Sequence, residues 1–221
     1  MAQRIEHTVL RPDATREQVT RLCEDAKRFN FAAVVVNPYH VALASRLMRD
    51  TPVKVATVIG FPLGATTTTV KRFEASEALR LGADDLDMVI NVGALKSGDR
   101  EAVANDIAAV IEVAHKAKAI VKVILEAVFL ADDEKKVACE LCLAGGADFV
   151  KTSTGFGPAG ATVEDVALMR RLVGNRAGVK AAGGIRNAHD AAAMIAAGAD
   201  RIGASASVAI MKELGAPATS G

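Results

Sequence analysis

Residues 149–156 read Phe-Val-Lys-Thr-Ser-Thr-Gly-Phe, a short apolar run that contains one lysine and ends in hydroxyl residues and a glycine. A second stretch, Gly178-Val-Lys-Ala-Ala-Gly-Gly184, has the same form. Lysine is almost never fully buried unless it has a partner or a function. The two stretches therefore predict matching strands of a repeated unit, with Lys151 and Lys180 at equivalent points near the strand ends.

Outside these stretches, strand patterns and helix patterns alternate along the chain. Thr15-Arg-Glu-Gln18 has the pattern of a capping box and predicts a helix that continues to about Arg28. Further helices are predicted at about 41–49, 66–81, 100–116, 132–143, 163–173, 188–197 and up to about 214. Strands are predicted at 6–10, 31–36, 53–59, 85–90, 120–126, 148–152, 178–182 and 201–204.

Eight strands, each followed by a helix, predict an α/β fold: a single closed (β/α)8 barrel, or TIM barrel. The alternative is an open doubly wound sheet. It is disfavoured because no G-x-G-x-x-G follows the first long strand. We expect one barrel domain over residues 1–214 and a mobile tail over 215–221.

Composition disfavours several classes of protein. A net charge of +1 argues against nucleic-acid binding, and no apolar run is long enough for a membrane helix. The N-terminus lacks a signal-peptide core, so we expect a cytoplasmic protein. The odd, sparse set Cys23, Cys139 and Cys142 does not suit a disulfide framework. Cys139 and Cys142 match C-x-x-C, which we interpret as core-facing helix positions rather than a metal or redox site.

The two strand-embedded lysines suggest one chemistry. In a barrel, functional groups lie at the C-terminal ends of the strands, and the sixth and seventh strands that carry Lys151 and Lys180 are neighbours. Burial beside a second cation can lower a lysine pKa from about 10.4 by about 3 units, or ~4 kcal/mol. The neutral amine can then attack a carbonyl and form a Schiff base. The alternative is that both lysines are salt-bridged residues that fill the barrel.

The fourth and fifth strands carry charged residues for which the sequence leaves two roles open. Side-chain alternation points Asp85 and Asp87 into the barrel. Across a narrow barrel, Asp87 could reach both lysines, where it can hold a proton-relay water or form a structural ion pair. On the fifth strand, Lys122 and Glu126 share a face. We expect them to support the site electrostatically rather than to act directly.

Two glycine-bearing turns favour a phosphorylated substrate. Gly183-Gly184 follows the seventh strand, and Gly203-Ala-Ser-Ala-Ser207 follows the eighth. Barrels often bind phosphate with these two loops, through backbone N–H groups and a helix N-terminus. Ser205 can add a hydroxyl donor, or cap the helix. The four histidines are scattered, and no dense His, Asp and Glu cluster predicts a metal site.

Taken in order, these motifs resemble the deoxyribose-phosphate aldolases, which are class I (Schiff-base) aldolases on a (β/α)8 barrel. The likeness covers nearly the whole chain, and its joint pattern is highly specific. It is carried by Ile5-Glu-His-Thr-Val-Leu10, Val55-Ala-Thr-Val-Ile-Gly-Phe-Pro-Leu-Gly64, Gly82-Ala-Asp-Asp-Leu-Asp-Met-Val-Ile-Asn91, Lys122-Val-Ile-Leu-Glu126, Phe149-Val-Lys-Thr-Ser-Thr-Gly155, Val179-Lys-Ala-Ala-Gly-Gly-Ile-Arg186 and Arg201-Ile-Gly-Ala-Ser205.

The resemblance implies reversible cleavage of 2-deoxy-D-ribose 5-phosphate to acetaldehyde and D-glyceraldehyde 3-phosphate. It implies no metal and no organic cofactor, small phosphorylated sugars and aldehydes as substrates, and a homodimer or homotetramer. Lys151 matches the Schiff-base lysine, Lys180 the lysine that lowers its pKa, and Asp87 the carboxylate of proton transfer. The positions that match substrate-phosphate contacts are Gly155, Gly183, Gly184, Gly203 and Ser205.

The chain departs from the family pattern at a few places. Glu6 stands where Asp is common, Val35 where Cys is common, Ala127 where Thr is usual and Ala206 where a second Ser is frequent. Some members end in a tyrosine, which this chain lacks at its end. These changes bear on phosphate affinity and rate rather than on reaction class. The alternatives are another Schiff-base barrel enzyme, such as a transaldolase-like one, and a non-catalytic phosphosugar-binding barrel.

Overall fold

The computed structural model describes residues 1–215, within which eight parallel strands form a closed barrel. Neighbouring strands pair in chain order, and β8 pairs with β1 to close the sheet. The predicted TIM barrel is therefore confirmed. The strands are β1 Ile5–Val9, β2 Ala33–Val36, β3 Lys54–Ile59, β4 Asp85–Val89, β5 Ile120–Ile124, β6 Phe149–Lys151, β7 Gly178–Ala182 and β8 Arg201–Ala204.

Helices surround this barrel and connect its strands. They are α1 Arg16–Phe29, α2 Val41–Met48, α3 Thr68–Arg80, α4 Val92–Lys96, α5 Arg100–Lys116, α6 Asp132–Gly145, α7 Val163–Val173, α8 Ala188–Ala196 and α9 Ser207–Glu213. Short 3₁₀ turns lie at Ala2–Arg4, Pro38–His40 and Ala127–Phe129. None of the helices within residues 1–215 is long and apolar enough to cross a membrane.

Local sequence signals explain where several helices begin. Thr15 and Gln18 form the predicted capping box of α1, in which each side chain bonds the other residue's backbone N–H. Thr67 caps α3 in the same region as the threonine run. The short helix α4 was not predicted. Its signal is Asn91, whose side-chain oxygen accepts a hydrogen bond from the N–H of Ala94.

The strand β5 is shorter than predicted. It ends at Ile124, whereas the sequence pattern continues to Glu126. Glu126 adopts the left-handed conformation, with φ of 51°, and begins a 3₁₀ turn. A non-glycine residue with positive φ ends the pleat, so the expected common face for Lys122 and Glu126 on one strand is wrong.

Apolar side chains fill two separate regions. The larger core lies between the sheet and the helices. A smaller apolar cluster lies inside the barrel, next to β1, β2 and β3, and consists of Leu10, Ala33, Val35, Ala56 and Val58. The buried lysines 122, 151 and 180 lie on β5, β6 and β7. The barrel interior is thus apolar on one side and charged on the other.

The cysteines lie where the sequence predicts them. Cys139 and Cys142 are buried on α6, and all three cysteines are free. Burial raises the pKa of the Cys139 thiol to about 12 and that of Cys23 to about 11. These thiols are therefore poor nucleophiles at neutral pH. The predicted tail at 215–221 lies outside the described residues, apart from Gly215.

Candidate active site

Lys151 and Lys180 lie side by side and share one carboxylate. They are paired across β6 and β7. Lys151 Nζ is 2.7 Å from Asp87 Oδ2, and Lys180 Nζ is 2.6 Å from the same oxygen. All three side chains are buried. Asp87 of β4 therefore reaches across the barrel to both lysines, as its inward direction and the narrow barrel predicted.

The end of β6 is held in place by the residue after Lys151. The hydroxyl of Thr152 donates a hydrogen bond to the carbonyl of Ala182 and accepts one from the N–H of the same residue. These bonds extend the pairing of β6 and β7 by one residue beyond the last strand position of β6. The backbone that carries Lys151 is therefore fixed against the strand that carries Lys180.

Further charged residues complete a buried network. Lys122 Nζ lies 2.6 Å from Asp85 Oδ2 and 3.2 Å from Asp87 Oδ1. Glu6 of β1 accepts a hydrogen bond from Lys180 and lies 3.5 Å from Lys122 Nζ. The network thus contains three lysines and three carboxylates. If all six were ionised, their charges would cancel.

A place for Glu6 in this network was not predicted from the sequence, where Glu6 is notable only as a departure from the family pattern. The signal that could have found it is the acidic residue inside a short strand that precedes the first helix. Side chains alternate along a strand, so a buried Glu6 in β1 faces the same interior as the lysines.

The environments of the lysines separate their proton affinities. Burial, together with the Lys180 cation, lowers the pKa of Lys151 to about 8, although Asp87 opposes this shift. Burial also disfavours a charged Lys122, but Asp87, Glu6 and Asp85 outweigh it and raise the pKa of Lys122. Burial likewise disfavours a charged Asp87, yet the three lysines hold its pKa well below the ordinary value. Of Lys122 and Lys151, it is Lys151 that can act as a neutral amine.

The lowered pKa changes how much reactive amine is present. A lysine with a pKa near 10.4 is neutral in roughly one molecule in 2,500 at pH 7. With a pKa of about 8, Lys151 is neutral in roughly one molecule in ten. The difference corresponds to about 3 kcal/mol. Such an amine can attack an aldehyde at a useful rate.

Both lysines open into one cavity at the C-terminal ends of the strands, which we call the lysine cavity. It has a volume of about 400 Å³. The loops after β6, β7 and β8 and the end of β1 form its walls. The five positions predicted to contact phosphate, Gly155, Gly183, Gly184, Gly203 and Ser205, all line it.

The glycines of this cavity have steric causes of their own. A Cβ on Gly183 would lie 2.9 Å from the Cα of Gly160, so the loops after β6 and β7 could not pack. A Cβ on Gly203 would lie 3.2 Å from Cε of Lys180 and 3.1 Å from Cβ of Ala182. Gly203 therefore leaves room for the Lys180 side chain. This role was not foreseen from the sequence.

Glu126 lies apart from the lysine network. Its carboxylate accepts hydrogen bonds from the backbone N–H of Thr154, at 3.1 Å, and from the Thr154 hydroxyl. It thereby fixes the loop that follows Lys151. Lys122 contacts Asp85, Asp87 and Glu6 instead. The two residues expected to act together therefore support different parts of the site.

Comparison with known proteins agrees with this geometry. A model of the DeoC/LacD family aldolases matches residues 1–213. Over 212 residues the chain is 58% identical to a deoxyribose-phosphate aldolase from Halalkalibacterium halodurans. The alignment covers 96% of this chain and 94% of that protein. It is also similar to the solved aldolase QR15, with a TM-score of 0.92, 42% identity and coverage of 96% and 95%. A deoxyribose phosphate aldolase from Aeropyrum pernix, described as having a unique tetrameric structure, has a TM-score of 0.91, 37% identity and coverage of 97% and 90%.

Proposed function

The chain belongs to the DeoC/LacD family of aldolases, and from that premise we propose how its residues cleave a deoxyribose phosphate. The chain is a carbon–carbon lyase with deoxyribose-phosphate aldolase activity. The reaction is the reversible cleavage of 2-deoxy-D-ribose 5-phosphate to acetaldehyde and D-glyceraldehyde 3-phosphate. The observation that carries the proposed mechanism is the buried amine of Lys151, with a pKa of about 8, beside Asp87 and Lys180.

Lys151 is the nucleophile. Its neutral amine attacks C1 of the open-chain sugar, and loss of water gives a protonated Schiff base. The bond between C2 and C3 then breaks. Its electron pair moves towards the positively charged imine, and the C3 hydroxyl loses its proton to become the aldehyde of D-glyceraldehyde 3-phosphate. The Schiff base is the electron sink of this step.

Asp87 and Lys180 manage charge and protons around the imine. The enamine that remains on Lys151 takes a proton at C2, and water then releases acetaldehyde. Asp87 is held between the two amines, where it can relay protons, most simply through a water molecule. Together with burial, Lys180 increases the neutral fraction of Lys151 through the repulsion of like charges.

The substrate phosphate binds at the end of the lysine cavity formed by the loops after β7 and β8. Gly183 and Gly184 have consecutive positive φ values, 89° and 79°, and lie beside Gly155 and Ser205 in the cavity wall. Successive backbone N–H groups in unusual turns often form concave sites for anions. Gly203 contributes by its lack of a side chain, since it makes room for Lys180.

Borohydride trapping tests the assignment of Lys151. The protein is reduced in the presence of acetaldehyde, and its peptides are mapped by mass spectrometry. We expect a two-carbon adduct on Lys151 in the native protein and none at this position in a folded Lys151→Ala variant, which should also lack activity. An adduct on Lys180 would exchange the two roles. The absence of any adduct on active, folded protein would refute the Schiff-base mechanism.

The active form is a homodimer or a homotetramer. Tyr39 and Phe73 are 82% and 70% exposed. Association would remove this apolar surface from water, which is favourable. Light scattering gives the mass in solution, and Phe73→Lys should lower it if α3 lies in the interface. A monomer at all concentrations would contradict this proposal.

The reaction takes place in the cytoplasm. Cys23, Cys139 and Cys142 are free and buried, an arrangement typical of proteins from reducing compartments. Cell fractionation with an aldolase assay on each fraction tests the location. Activity confined to an extracellular or periplasmic fraction would contradict it.

A further inference from the structure

An aromatic pair divides the open end of the barrel. Phe61 follows β3 and Phe156 follows β6, which are three strands apart in the barrel of eight. Their ring centroids are 5.3 Å apart, and the rings meet edge to face at 87°. The contact therefore spans the opening above the strands. The lysine cavity lies on one side of it.

A second cavity, of about 280 Å³, lies on the other side, and we call it the side cavity. The loops after β3, β4, β5 and β6 form its walls. Its apolar lining includes Pro62, Leu63, Val89, Val92, Phe129 and Pro158.

The polar groups of the side cavity are already bonded to each other. Glu126 also lines it, but the carboxylate of Glu126 accepts two hydrogen bonds from Thr154. A ligand therefore meets a mainly apolar surface, whose one carboxylate already accepts two hydrogen bonds from Thr154. Such a surface favours a hydrocarbon chain over a phosphate or a polyol.

The side cavity is close to the reacting centre. Thr154 and Phe156 line both cavities, and the Phe156 side chain is about half exposed. Thr154 and Phe156 are therefore the residues that separate the two spaces. The floor of the side cavity is Val89, two positions after Asp87 on β4 and so on the same face of that strand, about 7 Å further along.

We propose that the side cavity is a subsite for the apolar chain of an unphosphorylated aldehyde that accepts the acetaldehyde enamine. This inference rests on the proposed Schiff-base function. The enamine carbon on Lys151 attacks the carbonyl carbon of the acceptor, whose oxygen takes up a proton. Water then cleaves the imine and releases a 3-hydroxyaldehyde. The chain of the acceptor lies beyond Phe156, away from the phosphate end.

The test is a comparison of acceptor chain lengths. The donor is acetaldehyde, and the acceptors are propanal, butanal, pentanal and hexanal, with D-glyceraldehyde 3-phosphate as the reference. Burial of one methylene is worth about a fourfold change in an equilibrium or rate ratio. In the native protein we expect kcat/KM to rise about threefold to fourfold for each added methylene.

A variant that fills the side cavity provides the decisive contrast. Val92→Phe places a ring in the side cavity, away from both lysines. The rise of kcat/KM with acceptor length should therefore disappear. The rate with D-glyceraldehyde 3-phosphate should stay unchanged. Val163→Phe, on the exposed start of α7, makes the same exchange outside both cavities and should leave the rise intact. If Val92→Phe does not fold, Leu63→Asp places a charge at the exposed edge of the cavity and should have the same effect.

Several results would overturn the proposal. If kcat/KM in the native protein does not change with acceptor length, the hydrocarbon chain of the acceptor gains nothing from the side cavity. If kcat/KM still rises with acceptor length in Val92→Phe and Leu63→Asp, the hydrocarbon chain of the acceptor binds elsewhere. A change of assembly mass without a change of selectivity would show that the cavity holds a side chain of a second copy. If the native protein does not catalyse the addition of acetaldehyde to D-glyceraldehyde 3-phosphate, the result would instead count against the proposed function itself.

Discussion

Replacement of Lys180 by methionine tests the charge coupling at the centre of the site. Methionine is similar in length to lysine but carries no charge. Both ammonium nitrogens lie within 2.7 Å of the same Asp87 oxygen, so they are at most about 5 Å apart. At an effective dielectric constant of about 20, two unit charges at that separation interact by about 3 kcal/mol. That energy corresponds to about 2 pKa units.

The direction of the effect follows from the sign of the lost charge. Lys180 lowers the pKa of Lys151, so its removal raises that pKa from about 8 towards 10. At pH 7 the neutral fraction of Lys151 falls from roughly one in ten to roughly one in 1,000. We therefore expect kcat/KM at pH 7 to fall about 100-fold, and the rise of kcat/KM with pH to move about 2 units upward.

The assay is the pH dependence of kcat/KM, which reports ionisations of the free enzyme. Circular dichroism first establishes that the variant is folded, because Glu6 and Asp87 lose a buried partner. Lys135→Met, which removes a lysine paired with Asp132 and Asp165 outside the lysine cavity, is the matched control. An unchanged midpoint near pH 8 in folded Lys180→Met would refute the coupling.

Two further substitutions test steric and electrostatic roles. Gly203→Ala should displace the Lys180 side chain by a few tenths of an ångström, reduce kcat/KM several-fold and shift its pH profile. Gly93→Ala, whose Cβ would meet its nearest atom at an ordinary 3.6 Å, should change neither. Equal activity of the two variants would exclude the steric role of Gly203. In the native protein Lys71 Nζ lies 2.5 Å from Asp106 Oδ2. Lys71→Met leaves Asp106 buried without this ionic partner and should lower the free energy of unfolding in urea by about 3–5 kcal/mol. The double change Lys71→Met with Asp106→Leu should recover part of that loss, and a double variant less stable than the single one would contradict this account.

The barrel was predictable because its signals are local and repeated. Several boundaries, such as 100–116 in α5 and 178–182 in β7, agree with the structure residue for residue. The errors fall where a single conformation breaks a pattern. Glu126 ends β5 by adopting a positive φ, although the apolar alternation continues to it. The short helix α4 has only five residues, too few for a helical period to be visible.

The site was predictable in its main residues but not in its distances. Strand alternation pointed Asp87 inward, and the adjacency of two strands brought Lys151 and Lys180 together. The part played by Glu6 depends on the contact of β1 with β8, and no local pattern reports a pairing between opposite ends of the chain. The steric role of Gly203 likewise depends on the path of the Lys180 side chain. The roles of these residues in turnover stay predictions.

The bond between Lys180 and Glu6 joins residues 174 positions apart. It forms only when the last strand meets the first, so the complete charge network exists only after the barrel has closed. Before that moment, during synthesis, Lys151 is an ordinary solvated lysine that is almost fully protonated at neutral pH. Lys151 of a nascent or partly unfolded chain is therefore a poor target for cellular aldehydes. Burial and the Lys180 cation lower its pKa only when the strands around it have assembled, so imine formation at Lys151 is a chemical reporter of completed folding.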